Sequence, residues 1–277
     1  MNRVRRLADR IALVTGASRG GGRGIACVLG EEGAIVYVTG RSVRGGPTTL
    51  GRPGTIEDTA DEVSARGGLG IAVRCDHTDD EQTEALFTRI RREHGQLDIL
   101  VNNAWSGYEL NPDPDLPFWE IERRHWDLMF DGGLRAAAVA SQLAAPLMIE
   151  RRRGLIVNIT WILSRPHGHA FYEVVKNATN KLTERMADDM RPHGVAVVGL
   201  SPGFMRLERM SLSRESAAQA ESAEFPGRAV AALASDANVL SRSGGVFTTP
   251  ELARDYGFTD VDGSQISAFW REYLGEA

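Results

Sequence analysis
The sequence predicts an α/β fold: one doubly wound domain whose seven-stranded parallel sheet is flanked by helices. Two observations predict it. Short runs rich in Val and Ile alternate with longer segments that read as helices, which gives right-handed βαβ units. The short runs are apolar on both faces, as strands covered on both sides should be.

Taken in order, Ile11–Thr15 is the first strand. It runs into a Gly-rich turn and then the helix Gly22–Glu32. Ile35–Thr39 is the second strand, and Ile56–Arg66 the helix after it. Leu69–Cys75, Asp80–His94 and Ile99–Asn102 continue the alternation. Trp119–Glu150 reads as a long helix, Leu155–Thr160 as the fifth strand and Phe171–Arg191 as the helix that follows. Val195–Leu200 and Gly245–Thr248 complete the sheet. The helices are assigned by length and by apolar recurrence at three and four residues.

Four stretches break the pattern: Arg41–Gly54, Trp105–Pro117, Ile162–His169 and Phe204–Ala223. All but Arg41–Gly54 clearly follow the C-terminal end of a strand, where ligands of open parallel sheets bind. No repeat or low-complexity linker divides the chain. The expected organisation is a nucleotide-binding domain over 8–250 that includes the catalytic site. A lid at 203–224 lies over the substrate site, and 251–277 form a C-terminal extension.

Composition excludes other classes. The chain has 277 residues, 42% hydrophobic and 25% charged, with a net charge of −5. These are globular values, and the densest basic run is only Arg151–Arg153, so neither a nucleic acid nor an anionic membrane is an expected partner. Two cysteines, Cys27 and Cys75, are too few for a disulfide scaffold or a thiolate metal site, and no metal is expected. Leu134–Ile149 is apolar but holds Arg135, Ser141, Gln142 and Pro146 and falls short of about 20 apolar residues. The apolar run after Arg10 is too short for a secretory core, so a cytoplasmic location is expected.

The first chemical motif is Thr15-Gly16-Ala17-Ser18-Arg19-Gly20-Gly21-Gly22. A strand entering a glycine turn and then a helix lets backbone N–H groups meet a pyrophosphate. The spacing is T-G-x-x-x-G-x-G, not G-x-G-x-x-G, and a flexible turn alone would use the same glycines. Its place after the first strand of a βα series favours nucleotide binding. The second strand ends Val38-Thr39-Gly40-Arg41 without the acid that takes an adenosine 2′-hydroxyl. Arg41 there, with Arg19 in the cradle, instead suits a 2′-phosphate, hence NADP(H).

These residues resemble the short-chain dehydrogenase/reductase superfamily over about 8–250. The resemblance also rests on Cys75-Asp76-His77-Thr78, Val101-Asn102-Asn103-Ala104, Tyr172-Glu173-Val174-Val175-Lys176 and Ser201-Pro202-Gly203. The segments Asn238–Gly244 and Glu251–Gly263 are similar to those of a narrower group, dehydrogenase/reductase family member 1 and its bacterial relatives. The resemblance implies a Rossmann-like fold and NADPH-dependent, reversible carbonyl/alcohol hydride transfer. It implies cofactor contacts from Gly16, Ser18, Arg19, Gly20, Gly22, Arg41, Asp76, the His77 backbone, Asn103, Tyr172, Lys176, Pro202 and Gly203. Asn102 would brace its strand end. Asp76 as a strand-end cap and the Asn pair as turn formers are the plainer readings. A homodimer or homotetramer is implied as well.

Tyr172 and Lys176 lie four apart in a helical pattern and share a face. An ammonium about 4 Å from a phenol stabilises phenolate by roughly 1–4 kcal/mol, about one to three pKa units. Tyr172 is thus the expected acid/base and Lys176 its tuner, holding the nicotinamide ribose too. A buried Tyr beside a solvated Lys is the alternative, and the position after the fifth strand argues against it.

The chain departs from the family pattern at several places. Trp161 falls where the catalytic Ser is usual, and the loop to Tyr172 is about two residues short. Thr160 is the first candidate for the orienting hydroxyl, Ser164 the second, and no replacement the third. An undistorted strand would point Thr160 to the opposite face. Gly133 falls where an Asn holds a relay water, Leu207 where a Thr meets the nicotinamide, Gly21 where a branched aliphatic is common, and Trp105 where a Gly follows Asn-Asn-Ala.

Trp105, Trp161, Phe171, Phe204 and Met205 suggest a bulky apolar carbonyl or alcohol substrate, though each alone is ordinary packing. Arg206 and Arg209 read as exposed lid charges, His167 and His169 as loop residues. Two other functions stay open: an NADP-binding sensor or scaffold with little turnover, and an isomerase or dehydratase using Tyr172 alone.

Overall fold
Strand residues alternate between two apolar cores, one on each face of the sheet. In β1 (Ile11–Val14), Ala12 and Val14 pack into one core and Ile11 and Leu13 into the other. β2 (Ile35–Gly40), β4 (Ile99–Asn102), β5 (Gly154–Ile159) and β6 (Val195–Ser201) divide their residues in the same way. With no polar face left, the sheet needs helices on both sides. Helices α1 (Gly20–Glu31), α2 (Ile56–Ala65) and α7 (Phe225–Ser235) supply the first core. Helices α3 (Asp80–His94), α5 (Ala136–Ile149) and α6 (Ala170–Met190) supply the second.

The structure is a computed structural model that describes residues 5–110, 116–162, 170–208 and 220–265. With β3 (Leu69–Arg74) and β7 (Val246–Thr248), the sheet has seven strands in the order β3-β2-β1-β4-β5-β6-β7, every neighbouring pair parallel. The chain reverses its direction of travel across the sheet between β1 and β4. That switch point opens a crevice at the strand C-termini.

The expected elements are all present, with four differences. β3 is an edge strand whose Leu69 is 50% exposed, so it is not covered on both faces. The long helix begins only at α4 (Arg123–Met129) and reaches α5 through a π-helical stretch, Phe130–Arg135. By length and composition alone Arg123–Ile149 is long and apolar enough to cross a membrane, but here α5 packs on β4, β5 and α3. Helices α7 and α8 (Thr249–Tyr256) were not expected. Finally, the Arg41–Gly54 stretch does follow a strand C-terminus, that of β2. Helix α3 meets its expected bounds because Asp79 caps its N-terminus and Gly95 ends it in the left-handed region.

Candidate active site
A cleft of about 470 Å³ lies across the C-terminal ends of β1 and β4. Gly16, Ser18, Arg19, Gly20, Gly22, Arg41, Asp76, Asn103, Thr160, Tyr172, Lys176, Pro202 and Gly203 all line it. Ser164, His167, His169 and Arg209 fall outside the described residues.

The floor is the β1–α1 turn clamped against β4. Thr15 Oγ1 accepts from the backbone N–H groups of Asn103 (2.9 Å) and Ala104 (3.0 Å). The Asn103 amide donates to the carbonyls of Thr15 (2.9 Å) and Gly16 (3.0 Å). Gly16 has φ +65°, and a Cβ there would come within 2.8 Å of Ala104 Cα. Only glycine tolerates both demands. Asn103 is therefore the clamp of the turn. Asn102 braces the strand end, donating to Ser141 Oγ (2.9 Å) and Asn158 Oδ1 (2.8 Å).

At the N-terminus of α1 an anion is already bound. The Gly20 N–H donates to the Glu208 carboxylate at 2.9 Å, and Arg23 approaches the same group at 3.5 Å. Unpaired N–H groups and the helix dipole favour negative charge there.

Three guanidinium groups gather at the β2 side. Arg41 is ion-paired with Glu109 and lies 3.8 Å from Asp76. Arg19 donates to the carbonyls of Pro53 (2.9 Å) and Gly54 (2.9 Å) and to Ser42 Oγ (2.7 Å), so it holds the 42–54 loop as a wall. Burial and then the neighbouring Arg52 hold its pKa below the usual range. Arg52 is the third cation on this wall. Asp76 Oδ1 accepts from the Thr78 N–H (3.1 Å) and hydroxyl (2.8 Å), the capping arrangement foreseen as its plainer reading. His77 is buried beside it, hydrogen-bonded to Thr39 Oγ1 at 2.8 Å, and burial pushes its pKa down to about 4.

Tyr172 and Lys176 share one face of α6, as their spacing predicts. Burial and then Tyr108, through charge and a hydrogen bond, push the Tyr172 phenol well above its ordinary value. The Lys176 ammonium lies 5.6 Å from the Tyr172 ring centre, and burial lowers its own pKa to about 8.

Thr160 lines the cleft, but its hydroxyl bonds to α6. It donates to the Lys176 carbonyl (3.2 Å) and Asn180 Oδ1 (2.6 Å). Trp161, the next residue, lines the cleft as well.

The described ends of the 203–224 segment form a small clasp. Arg206 N–H donates to the Glu221 carbonyl and Glu221 N–H to the Phe204 carbonyl, both at 2.8 Å. The Glu221 carboxylate accepts from Gly203 N–H, and buried Asp260 holds Ser222 through its N–H (2.8 Å) and hydroxyl (2.5 Å). The C-terminal extension thus anchors the base of this segment.

Glu208, Glu109, Tyr108 and Arg52 are site residues that the motifs did not single out. No local pattern marks them; each arrives through long-range packing of a loop.

A sequence model of the short chain dehydrogenase family matches residues 10–218. The chain is 37% identical to mouse dehydrogenase/reductase SDR family member 1, over 95% of this chain and 87% of that protein. It is 34% identical to gluconate 5-dehydrogenase of Gluconobacter oxydans, over 73% of each. Among solved structures, a metagenomic short-chain oxidoreductase in complex with NADP superimposes with a TM-score of 0.70 at 28% identity, covering 88% of this chain and 97% of the other. A hydroxysteroid dehydrogenase from Escherichia coli gives 0.73 at 25%, covering 90% and 98%. A parallel sheet in this order, a helix end that takes an anion, and a Tyr and Lys sharing one helix face across the cleft agree with that match, and the chain belongs to the short-chain dehydrogenase/reductase family.

Proposed function
We propose that the protein is an NADP(H)-dependent oxidoreductase that interconverts a carbonyl and an alcohol, with Tyr172 as the acid/base. The family supports an oxidoreductase that uses a nicotinamide dinucleotide. The observation that carries the finer reading is the pairing of two sites in one cleft. One end is a helix N-terminus that already takes a carboxylate, flanked by Arg19, Arg41 and Arg52; the other end is the Tyr172–Lys176 pair.

The residues present fit the cofactor. Gly20 N–H at the α1 terminus suits a pyrophosphate oxygen. Arg41 and Arg52 suit a 2′-phosphate, since a guanidinium meets phosphate with paired donors. Pro202 and Gly203 offer the nicotinamide face a wall without long side chains. NADPH, when bound, supplies the hydride.

Tyr172 gives its hydroxyl proton to the carbonyl oxygen as the carbon becomes that of an alcohol, and solvent returns the proton to the phenolate. Since burial disfavours phenolate, Tyr172 carries its proton in the resting site, and giving it up calls for a positive charge nearby. Lys176 places a positive charge on the same side, which favours the phenolate left after transfer. Trp105, Trp161 and Phe204 give the substrate side an apolar lining suited to a bulky substrate.

One observation favours a second reading, an NADP-binding sensor with little turnover: Thr160 has its hydroxyl engaged by α6 and Trp161 follows it into the cleft. A titration with NADPH and NADH, followed by a panel of bulky ketones and aldehydes, separates the two. The enzyme reading expects tighter NADPH than NADH binding and NADPH oxidation with at least one carbonyl. Binding without oxidation across the panel supports the sensor, and equal affinity for the two nucleotides removes the phosphate assignment.

A further inference from the structure
Lys176 is buried, yet its ammonium has few polar partners. Among the described residues it forms no ion pair with a carboxylate, and its hydrogen bond to the Ile159 carbonyl is long, 3.4 Å. What lies over it is the face of Trp105, whose ring centre is 4.2 Å from Nζ. That distance is well inside the range over which an indole attracts a cation. The same indole meets the Tyr172 ring edge to face, with centroids 5.7 Å apart and planes at 86°.

The indole is fitted into place from two further sides. A Cβ on Gly133, in the π-helical stretch before α5, would come within 2.7 Å of the Trp105 ring. A Cβ on Gly107 would come within 2.5 Å of it. Two glycines thus leave room for one large ring, and the ring faces the ammonium.

We propose that Trp105 is a positioning residue for the proton-transfer pair: its indole face holds the Lys176 ammonium charged and in place beside Tyr172. The assignment of the pair to catalysis rests on the function proposed above, while the cation–indole contact stands on its own. The groups facing Lys176 are few. They are Tyr172 from its own helix, Trp105 and, beyond Tyr172, Tyr108 from the β4 loop, and the Ile159 carbonyl from β5. Asp131 on the π-helical stretch is exposed. Burial alone opposes the charge, so a ring that favours it determines how much of the ammonium survives at working pH.

The test uses the protein without nucleotide. The chain has two lysines, Lys176 and Lys181, so ¹³C-labelled lysine gives two side-chain signals that a Lys181→Arg variant assigns. The Lys176 midpoint is expected near 8 in the wild type. Trp105→Leu should lower it by about one unit, a tenfold change in acidity, and Trp105→Phe by less. Gly133→Ala, which displaces the ring, should lower it without touching Trp105. The alkaline limb of the pH–rate profile should move with the midpoint. A midpoint unmoved in Trp105→Leu overturns the proposal, and if that variant does not fold, unmoved midpoints in Trp105→Phe and Gly133→Ala do so. A shifted Lys176 in a protein that reduces nothing keeps this inference and rejects the catalytic reading instead.

Discussion
The Glu208 carboxylate sits 2.9 Å from the backbone N–H of Gly20, at the helix end that the glycine turn prepares for an anion. A side chain and an incoming phosphate therefore compete for the same donors. Glu208→Gln removes the competing charge while keeping the shape. NADPH should then bind about 3- to 10-fold more tightly, in line with roughly 1 kcal/mol for one charge at a helix terminus. The Tm of the nucleotide-free protein should fall slightly. Calorimetric titration checks the affinity, and weaker binding in the variant would show that Glu208 assists the nucleotide.

Arg41 poses a second competition at the same end of the cleft. Its ion pair with Glu109, and Asp76 at 3.8 Å, must loosen for a 2′-phosphate to be met. Arg41→Ala should weaken NADPH about 10- to 100-fold, the loss of one charge-assisted phosphate contact, and leave NADH nearly unchanged. Glu109→Gln should move the ratio in the opposite direction. Parallel changes for both nucleotides would place Arg41 outside the phosphate site.

Much of this site could be read from the chain because its parts are local. Gly16, Gly20 and Gly22 follow a strand and open a helix, and Tyr172 and Lys176 share a face through simple helical spacing. Thr160 shows the limit. Its hydroxyl is engaged by the Lys176 carbonyl and Asn180, a pairing that exists only once α6 packs beside the end of β5. Trp105 and Gly133 show a second limit. Each departs from the family pattern when taken singly, and their complementarity exists only once the β4 loop packs on the long helix. Of the two unexpected helices, α8 did carry a signal, since Thr248 and Glu251 form a capping box around Pro250. Helix α7 begins Phe225-Pro226-Gly227 and is buried almost all round, so it shows no amphipathic stripe.

His77 makes a prediction about acid stability. Its pKa is about 4 in the folded chain against 6.5 for the free side chain, because burial keeps it neutral. Between those values the unfolded chain binds a proton that the folded chain refuses. Stability is therefore complete above pH 6.5 and is lost as pH falls toward 4, by about 3 kcal/mol in all. His77→Gln should flatten that limb of a denaturation series run from pH 7 to pH 4. An equally steep limb in the variant would assign the acid loss to other groups.

Lys176 should act in the alkaline range with the same sign. Its folded value of about 8 lies below the ordinary 10.5, so between pH 8 and 10.5 the unfolded chain holds a proton that the folded chain has released. Stability then rises with pH across that window. The raised pKa values of Tyr172 and Tyr37 work against further gain above about pH 10, since both phenols ionise more readily once unfolded. Lys176→Met should remove the rise. Urea denaturation at pH 7, 8, 9 and 10 checks this, and a rise that survives in the variant contradicts the burial of the ammonium.

Thr160 separates a structural hydroxyl from a catalytic one. Its hydroxyl ties the end of β5 to α6 through the Lys176 carbonyl and Asn180, in a buried setting. Thr160→Val keeps the shape and deletes both contacts, leaving Asn180 Oδ1 short of a donor. The expected cost is about 1–3 kcal/mol of stability. Because the lost bonds fix where α6 sits, kcat should fall no more than a few-fold, with the pH profile unchanged. A hydroxyl that oriented substrate would instead cost a factor of about 100 or more in kcat, the scale on which a transition-state hydrogen bond is felt. Steady-state kinetics alongside thermal denaturation of the one variant therefore decide whether Thr160 braces the helix that carries Tyr172 or serves the reaction itself.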